Sequence, residues 1–289
     1  MTGVASLKDR FLLAAVLGYP VAQSRSPLLH DYWFAQQGLA GRYLALPVKP
    51  GGLEPALRGL APLGYAGCNL TIPHKQDAMA IVDQVDDVAR DIGAISCVVV
   101  RPDGTLLGTN NDWRGCIGNL HDAFPDWRAD AGPVAVIGAG GGARAVCYGL
   151  LRAGVPELRL VNRTQDRATQ IAADLGGPIR VMAWDDRAAA LDGVTLVVNA
   201  TSQGMVGMAP LDLSIDQLPA TAIAYDIIYT PLETPFLAAA RAQGNATLNG
   251  LGMLLHQGVP AWQAWFGITP VITGDLRQKM EHAIAPQAS

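Results

Sequence analysis

The sequence predicts a protein of two α/β domains, and three observations carry that reading. Short apolar strands alternate with helices along most of the 289 residues. The alternation starts afresh near the middle of the chain. The restart runs straight into a glycine-rich turn set between a strand and a helix. Strands this apolar belong to parallel sheets covered by helices on both faces. Half of the residues are hydrophobic and 16% are charged, which is enough to bury a substantial core.

Phe11–Leu17 reads as the first buried strand. Ser26–Gln37 follows as a helix, with Ser26 as N-cap, Pro27 as first helical residue and Gly38 ending it. Tyr43–Pro47 is the second strand, Leu53–Leu63 a helix and Ala66–Leu70 the third strand. Pro73 suits a helix start, so a helix is expected over Lys75–Val82. Ile95–Val100 is a strand, Pro102-Asp103-Gly104 a turn, and Leu106–Gly108 a short return strand. Asp112 reads as the N-cap of a helix starting near Trp113.

The second run begins with the strand Val134–Ile137, after the polar stretch Phe124–Gly132. Helix Ala143–Ala153, strand Leu158–Val161 and helix Asp166–Leu175 follow, then buried strands at Leu196–Asn199 and Ala222–Ile227. Helices over Gly250–Phe266 and Asp275–Ile284 close the chain, and the tail Pro286–Ser289 is expected to fray. The domain boundary is expected just after Asp112.

Net charge of −4 argues against a nucleic-acid surface, which needs clustered basic residues. Cys68, Cys97, Cys116 and Cys147 are far apart, with no metal-ligand spacing, and read as buried thiols of a reducing cytoplasm. The apolar run Phe11–Gly18 after Lys8 and Arg10 is too short to span a bilayer, and no cleavage site follows it. A soluble, cytoplasmic protein with no metal, nucleic-acid or membrane partner is expected.

Gly138-Ala139-Gly140-Gly141-Gly142-Ala143 has the dinucleotide-binding spacing, with alanine in third place, in the required strand–turn–helix context. Gly138 permits the tight turn, Gly140 lets backbone approach a pyrophosphate, and Ala143 allows close helix–strand packing. The helix N-terminus offers N–H groups to the phosphates. About 20 residues further on, where an NAD enzyme has Asp or Glu, stand Asn162-Arg163-Thr164. An amide, a guanidinium and a hydroxyl can instead hold a 2′-phosphate, which favours NADP. A solvated turn before the next helix is the alternative.

In the first domain, Ser24 and Ser26 flank a helix N-terminus whose dipole favours a carboxylate, although capping alone explains Ser26. Asn69 and Thr71 share one face at the carboxyl end of a strand, where open α/β sheets bind ligands. Lys75, in the first turn of the expected helix, is placed unfavourably for the dipole, which would ease proton exchange. A surface lysine is the commoner fate. Gly250, Met253 or Leu254, and Gln257 share a late helical face, where a partly exposed amide is the plain reading of Gln257.

Together these segments resemble the shikimate dehydrogenase family, in order, from about Leu17 to Ile284. Ser24-Arg25-Ser26 resembles its SxS motif and Asn69-Leu70-Thr71-Ile72-Pro73-His74-Lys75 its NxTxPxK motif. Asn110-Asn111-Asp112 resembles its N-T-D segment. The glycine turn and Asn162-Arg163-Thr164 match its nucleotide motifs. Asn199-Ala200-Thr201-Ser202, Tyr225-Asp226 with Tyr229, and Gly250-Leu251-Gly252-Met253 with Gln257 complete the set.

The resemblance implies a substrate-binding catalytic domain over residues 1–112 and 250–289, with a mostly parallel sheet and the C-terminal helices returning to it. It implies a Rossmann-type NADP domain over residues 113–249, with substrate in a cleft between the two. The implied reaction is hydride transfer between NADP and a cyclic hydroxylated acid, 3-dehydroshikimate becoming shikimate, by a monomer or homodimer. Lys75 would donate the proton and Asp112 orient it and the substrate. Ser24, Ser26 and Tyr225 would hold the carboxylate, and Asn69, Thr71, Ser96 and Gln257 the ring hydroxyls. Thr201 and Gly250 would join the coenzyme site.

Three positions depart from the family pattern. Ser96 stands where an Asn is usual, Asn111 where a Thr is usual, and Trp113 where a small residue is usual. They open the reading to quinate or an amino-substituted relative as substrate. A non-catalytic nucleotide-binding regulator is the reading from another class, and the presence of both Lys75 and Asp112 speaks against it.

Overall fold

The computed structural model describes residues 7–285, so the tail Pro286–Ser289 lies outside the described residues. The chain divides into two compact units, one of residues 7–111 with Gln257–Met280, the other of Asp112–His256 with residues 281–285. The first contains β1 (Leu12–Gly18), α1 (Ser26–Gln36), β2 (Gly41–Pro47), α2 (Leu53–Gly59) and β3 (Tyr65–Leu70). β4 (Gln84–Val85), α3 (Asp87–Ile92), β5 (Cys97–Val100) and β6 (Leu106–Thr109) follow. The second contains α4 (Asp112–Ala123), β7 (Val134–Ile137), α5 (Gly141–Ala153), β8 (Leu158–Val161), α6 (Gln165–Leu175) and β9 (Ile179–Met182). It continues with β10 (Leu196–Asn199), β11 (Ile223–Asp226), α7 (Pro235–Ala242) and β12 (Ala246–Leu248). Helices α8 (Leu251–Phe266) and α9 (Gly274–Ile284) close the chain.

The first sheet has the order β2-β1-β3-β5-β6-β4. β1 runs parallel to β2 and β3, whereas β5 is antiparallel to both β3 and β6. That single reversal brings the start of β5 and the end of β6 to the edge where β3 ends, with Asn69 opposite Cys97 and Cys97 opposite Thr109. Leu17, Leu57, Leu60, Leu70, Ile95, Val98 and Leu106 form one core layer. A buried aromatic cluster ties the C-terminal part of α8 to this unit. Trp262 Nε1 donates to His30 Nδ1 at 2.7 Å, and Trp265 Nε1 to the Val98 carbonyl at 3.0 Å. His30 stacks on Tyr43 with ring centroids 4.0 Å apart, and burial pushes its pKa down to about 3.

The second sheet is wholly parallel, in the order β12-β11-β10-β7-β8-β9. Its first strand, β7, lies at the centre and the chain winds outward in both directions. The carboxyl ends of β7 and β10 therefore form a topological switch point, where such sheets bind ligands.

Several expectations are corrected. No α-helix covers Lys75–Val82, where turns lead into a 3₁₀ turn over Asp77–Ala80. The Lys75 carbonyl, which an α-helix would offer to Met79, accepts instead from the Ile95 N–H at 2.7 Å. Tertiary pairing outcompetes the local helix. α3, α7, β4, β9 and β12 were not expected. α7 had a readable signal, since Thr234 caps it by accepting the Leu237 N–H at 3.3 Å and Pro235 follows. Among the described residues, no helix is long and apolar enough to cross a membrane.

Candidate active site

At the edge where β3 ends, polar residues of the first unit are joined by hydrogen bonds. Asn69 is buried, its Oδ1 accepting from the Tyr43 hydroxyl at 2.7 Å and its Nδ2 donating to the Ser96 carbonyl at 3.1 Å. The Ser96 hydroxyl accepts the backbone N–H of Asn111 at 2.9 Å. Ile95, beside Ser96, donates to the carbonyl of Lys75. Thr71, the half-buried Lys75, Ser96 and Asn111 thus belong to one edge. Asp112 follows Asn111 directly as the first residue of α4 and is buried.

Lys75 sits on a turn that His74 fastens from within. His74 is fully buried, and its Nε2 donates to the Val48 carbonyl at 2.7 Å. Nothing in the sequence indicates this role, because the histidine occupies the variable position of its motif. With no α-helix beginning here, the helix dipole invoked for Lys75 is absent, and that part of its rationale falls away.

Ser24 and Ser26 lie at the start of α1, but the cap differs from the expected one. Arg25 is the N-cap residue and Ser26 is already helical. The Ser24 hydroxyl accepts the Ser26 backbone N–H at 3.3 Å, so Ser24 is the hydroxyl that caps this turn. Tyr19, in the preceding segment, donates its N–H to the Ile72 carbonyl at 2.9 Å, joining that segment to the Lys75 turn. Gln257, on α8, is buried in the first unit.

Tyr225 does not face a ligand site. It is wholly buried in the core of the second unit with Cys116, and its hydroxyl accepts from Asn119 Nδ2 at 3.1 Å. Burial raises the pKa of both side chains, that of Cys116 to about 12. Tyr225 lies within β11, where its side chain joins the core, whereas Tyr229 lies beyond the end of that strand and is half-buried.

In the second unit, Gly138 follows β7 with φ +120°, a conformation that favours glycine. A Cβ there would lie 2.9 Å from the Ala200 carbonyl oxygen and 3.1 Å from Thr201 Cγ2, so the turns after β7 and β10 are close-packed. Gly140 is the N-cap of α5 and exposed, and a Cβ on it would meet nothing within 4 Å. The fold itself therefore does not require glycine at 140, whereas close approach of a pyrophosphate would. Ala139, Gly141 and Gly142 are half-buried and Ala143 is fully buried. Arg144, in the first turn of α5, pairs with Asp174 at 2.7 Å.

Asn162 closes the turn after β8 by donating from Nδ2 to the Thr164 carbonyl at 2.8 Å. Thr164 is the N-cap residue of α6. Arg163 between them is exposed, and among the described residues it has no ion-pair partner. These residues fit a phosphorylated dinucleotide, with a glycine turn at the switch point and an uncommitted guanidinium after the second strand.

Thr201 belongs to a network at the ends of β10 and β11. Its hydroxyl donates to Asn199 Oδ1 at 2.8 Å, and Asn199 Nδ2 donates to the Asp226 carboxylate at 3.1 Å. Thr234 also donates to that carboxylate, at 2.7 Å. Burial raises the Asp226 pKa to about 6, against the opposing hydrogen bonds. Gly250 has a packing reason of its own, because a Cβ there would collide with the Ile227 carbonyl.

Residues 16–98 match the family model of the shikimate dehydrogenase substrate binding domain, and residues 122–208 that of shikimate / quinate 5-dehydrogenase. The chain is 52% identical to shikimate dehydrogenase (NADP(+)) of Paramagnetospirillum magneticum, over 92% of this chain and 96% of that protein. Shikimate 5-dehydrogenase from Thermus thermophilus, solved with NADP(H) and shikimate, superposes with a TM-score of 0.82 at 35% identity, over 94% of this chain and 98% of that one. Quinate dehydrogenase from Corynebacterium glutamicum, solved with NAD, gives a TM-score of 0.85 at 27% identity, over 96% of this chain and all of that one.

Proposed function

The chain belongs to the shikimate dehydrogenase family, and on that premise we propose how its own residues perform the family's reaction. The reaction is the reversible, NADP-dependent reduction of 3-dehydroshikimate to shikimate, a step towards chorismate and the aromatic amino acids. NADPH, when bound, supplies the hydride. Residues 1–112 and 250–289 serve the substrate and residues 113–249 the coenzyme.

Lys75 donates the proton to the carbonyl oxygen as it becomes a hydroxyl, and takes it back in the oxidising direction. Asp112 orients that lysine and the reacting oxygen. Ser24 and Ser26 hold the carboxylate at the start of α1, and Tyr229 rather than the buried Tyr225 is the tyrosine that serves the substrate. Asn69, Thr71 and Gln257 face the ring hydroxyls. The Gly138–Ala143 turn takes the pyrophosphate, and Asn162, Arg163 and Thr164 take the 2′-phosphate. Thr201, packed against Gly138, shapes the coenzyme side, and Gly250 fixes the backbone behind it.

The observation that supports this most strongly is the hydrogen-bonded chain Asn69–Ser96–Asn111, which leads directly into Asp112. A protein that only bound nucleotide would have no use for so ordered a polar edge. The deciding experiment follows nicotinamide absorbance with shikimate or quinate, each with NADP or NAD. Turnover of shikimate with NADP well above the other three combinations is expected, and dominant turnover of quinate would replace the substrate assignment. The four cysteines are all buried and none forms a disulfide among the described residues, which supports a cytoplasmic location; a monomer or homodimer remains part of this reading.

A further inference from the structure

We propose that Asn111 is a specificity-determining residue, its side-chain amide hydrogen-bonding one of the two shikimate ring hydroxyls that are not oxidised, with Ser96 as its positioning residue. This rests on the function proposed above. Asn111 is only 5% exposed, and its Nδ2 is buried without a hydrogen-bond partner. Among the described residues, neither end of this amide is hydrogen-bonded. Its neighbours differ. Asn110 donates to the Ala94 carbonyl at 2.8 Å, and both ends of the Asn69 amide are engaged.

A buried amide with no partner is destabilising, and native proteins rarely keep one without a use. This one stands one residue before Asp112, on the polar edge shared by Asn69 and Ser96. Its place is not accidental, because Ser96 holds the Asn111 backbone N–H at 2.9 Å. Ser96 is 1% exposed, and its hydroxyl oxygen accepts that bond. Of the two, Asn111 is the residue with a buried N–H group that no partner satisfies. An acceptor oxygen on the substrate ring satisfies the amide, and an equatorial or axial hydroxyl can also donate to its oxygen.

The test compares wild type with Asn111→Leu, close in size and without polar atoms, and with the smaller Asn111→Ala as a second variant. Each is assayed with NADP on shikimate and on two analogues, each lacking one of the two hydroxyls not oxidised. Asn111→Leu is expected to lower kcat/KM on shikimate about 10–100-fold, the range for an unpaired buried polar group. The KM for NADP should stay unchanged. With one of the two analogues the penalty should shrink to under about threefold, because the contact is already missing. The unfolding midpoint of Asn111→Leu should equal or exceed that of wild type, since an unsatisfied polar group has been removed. An equal penalty on all three substrates in both variants, or no penalty on shikimate, overturns the proposal. Wild-type inactivity on shikimate would instead overturn the reading on which it rests.

Discussion

The Ser96 hydroxyl and the Asn111 backbone N–H form a 2.9 Å hydrogen bond that fixes the chain immediately before Asp112. Ser96 is buried against the sheet, so it acts on the site through the main chain.

That relationship decides what a substitution of Ser96 by the Asn usual in the family should do. A longer amide at a 1% exposed position must displace packed neighbours, and overpacking of this kind costs about 1–3 kcal/mol. Ser96→Asn should therefore lower both the unfolding midpoint and kcat. Ser96→Ala removes the acceptor and should lower kcat more than it raises KM. Measuring both constants and the melting temperature decides it. A gain in kcat/KM for Ser96→Asn would return Ser96 to the role of a substrate contact.

Arg163 should govern the choice of coenzyme. Losing a charge-assisted contact to the 2′-phosphate is worth on the order of 1.5–3 kcal/mol, or one to two decades in affinity. Arg163→Ala should raise the KM for NADP by that factor and leave the KM for NAD nearly unchanged. Parallel changes for both coenzymes would place the guanidinium elsewhere.

Lys75→Ala and Asp112→Ala should each lower kcat by roughly 10²–10⁴-fold, the range for positioned proton transfer, with little change in NADP affinity. Acting on one transition state, they should be far from additive in the double variant. Steady-state kinetics of the three variants test this, and near-normal turnover of Lys75→Ala on shikimate would dismiss the assignment.

His30 should make the first unit acid-sensitive. Its folded pKa of about 3 lies well below the ordinary 6.5, so the folded state holds it neutral. Its contribution is fully present above about pH 6.5 and is lost as pH falls towards 3, at up to about 1.4 kcal/mol per pH unit. In His30→Asn the amide oxygen can still accept from Trp262 but does not titrate. Urea unfolding between pH 7 and pH 4 should show the stability of wild type declining relative to this variant. A constant difference across that range would mean that His30 is not the titrating group.

The sequence by itself determined the alternation of strands and helices, the glycine turn at Gly138 and the uncommitted Arg163. Each depends on features within a few residues: apolar periodicity, a positive φ, and the absence of an acid at the end of the second strand. The cap signal Thr234-Pro235 is equally local. Tertiary structure decided the rest. The Lys75 turn is non-helical because Ile95, far along the chain, takes the Lys75 carbonyl. Ser24 rather than Ser26 supplies the capping hydroxyl, and Tyr225 lies in a core while Tyr229 does not. Ser96 meets the backbone of Asn111 because β5 runs antiparallel to its neighbours, which sets the start of that strand beside the end of β6. A hydrogen bond between residues so placed follows from strand order and register, which local composition does not encode.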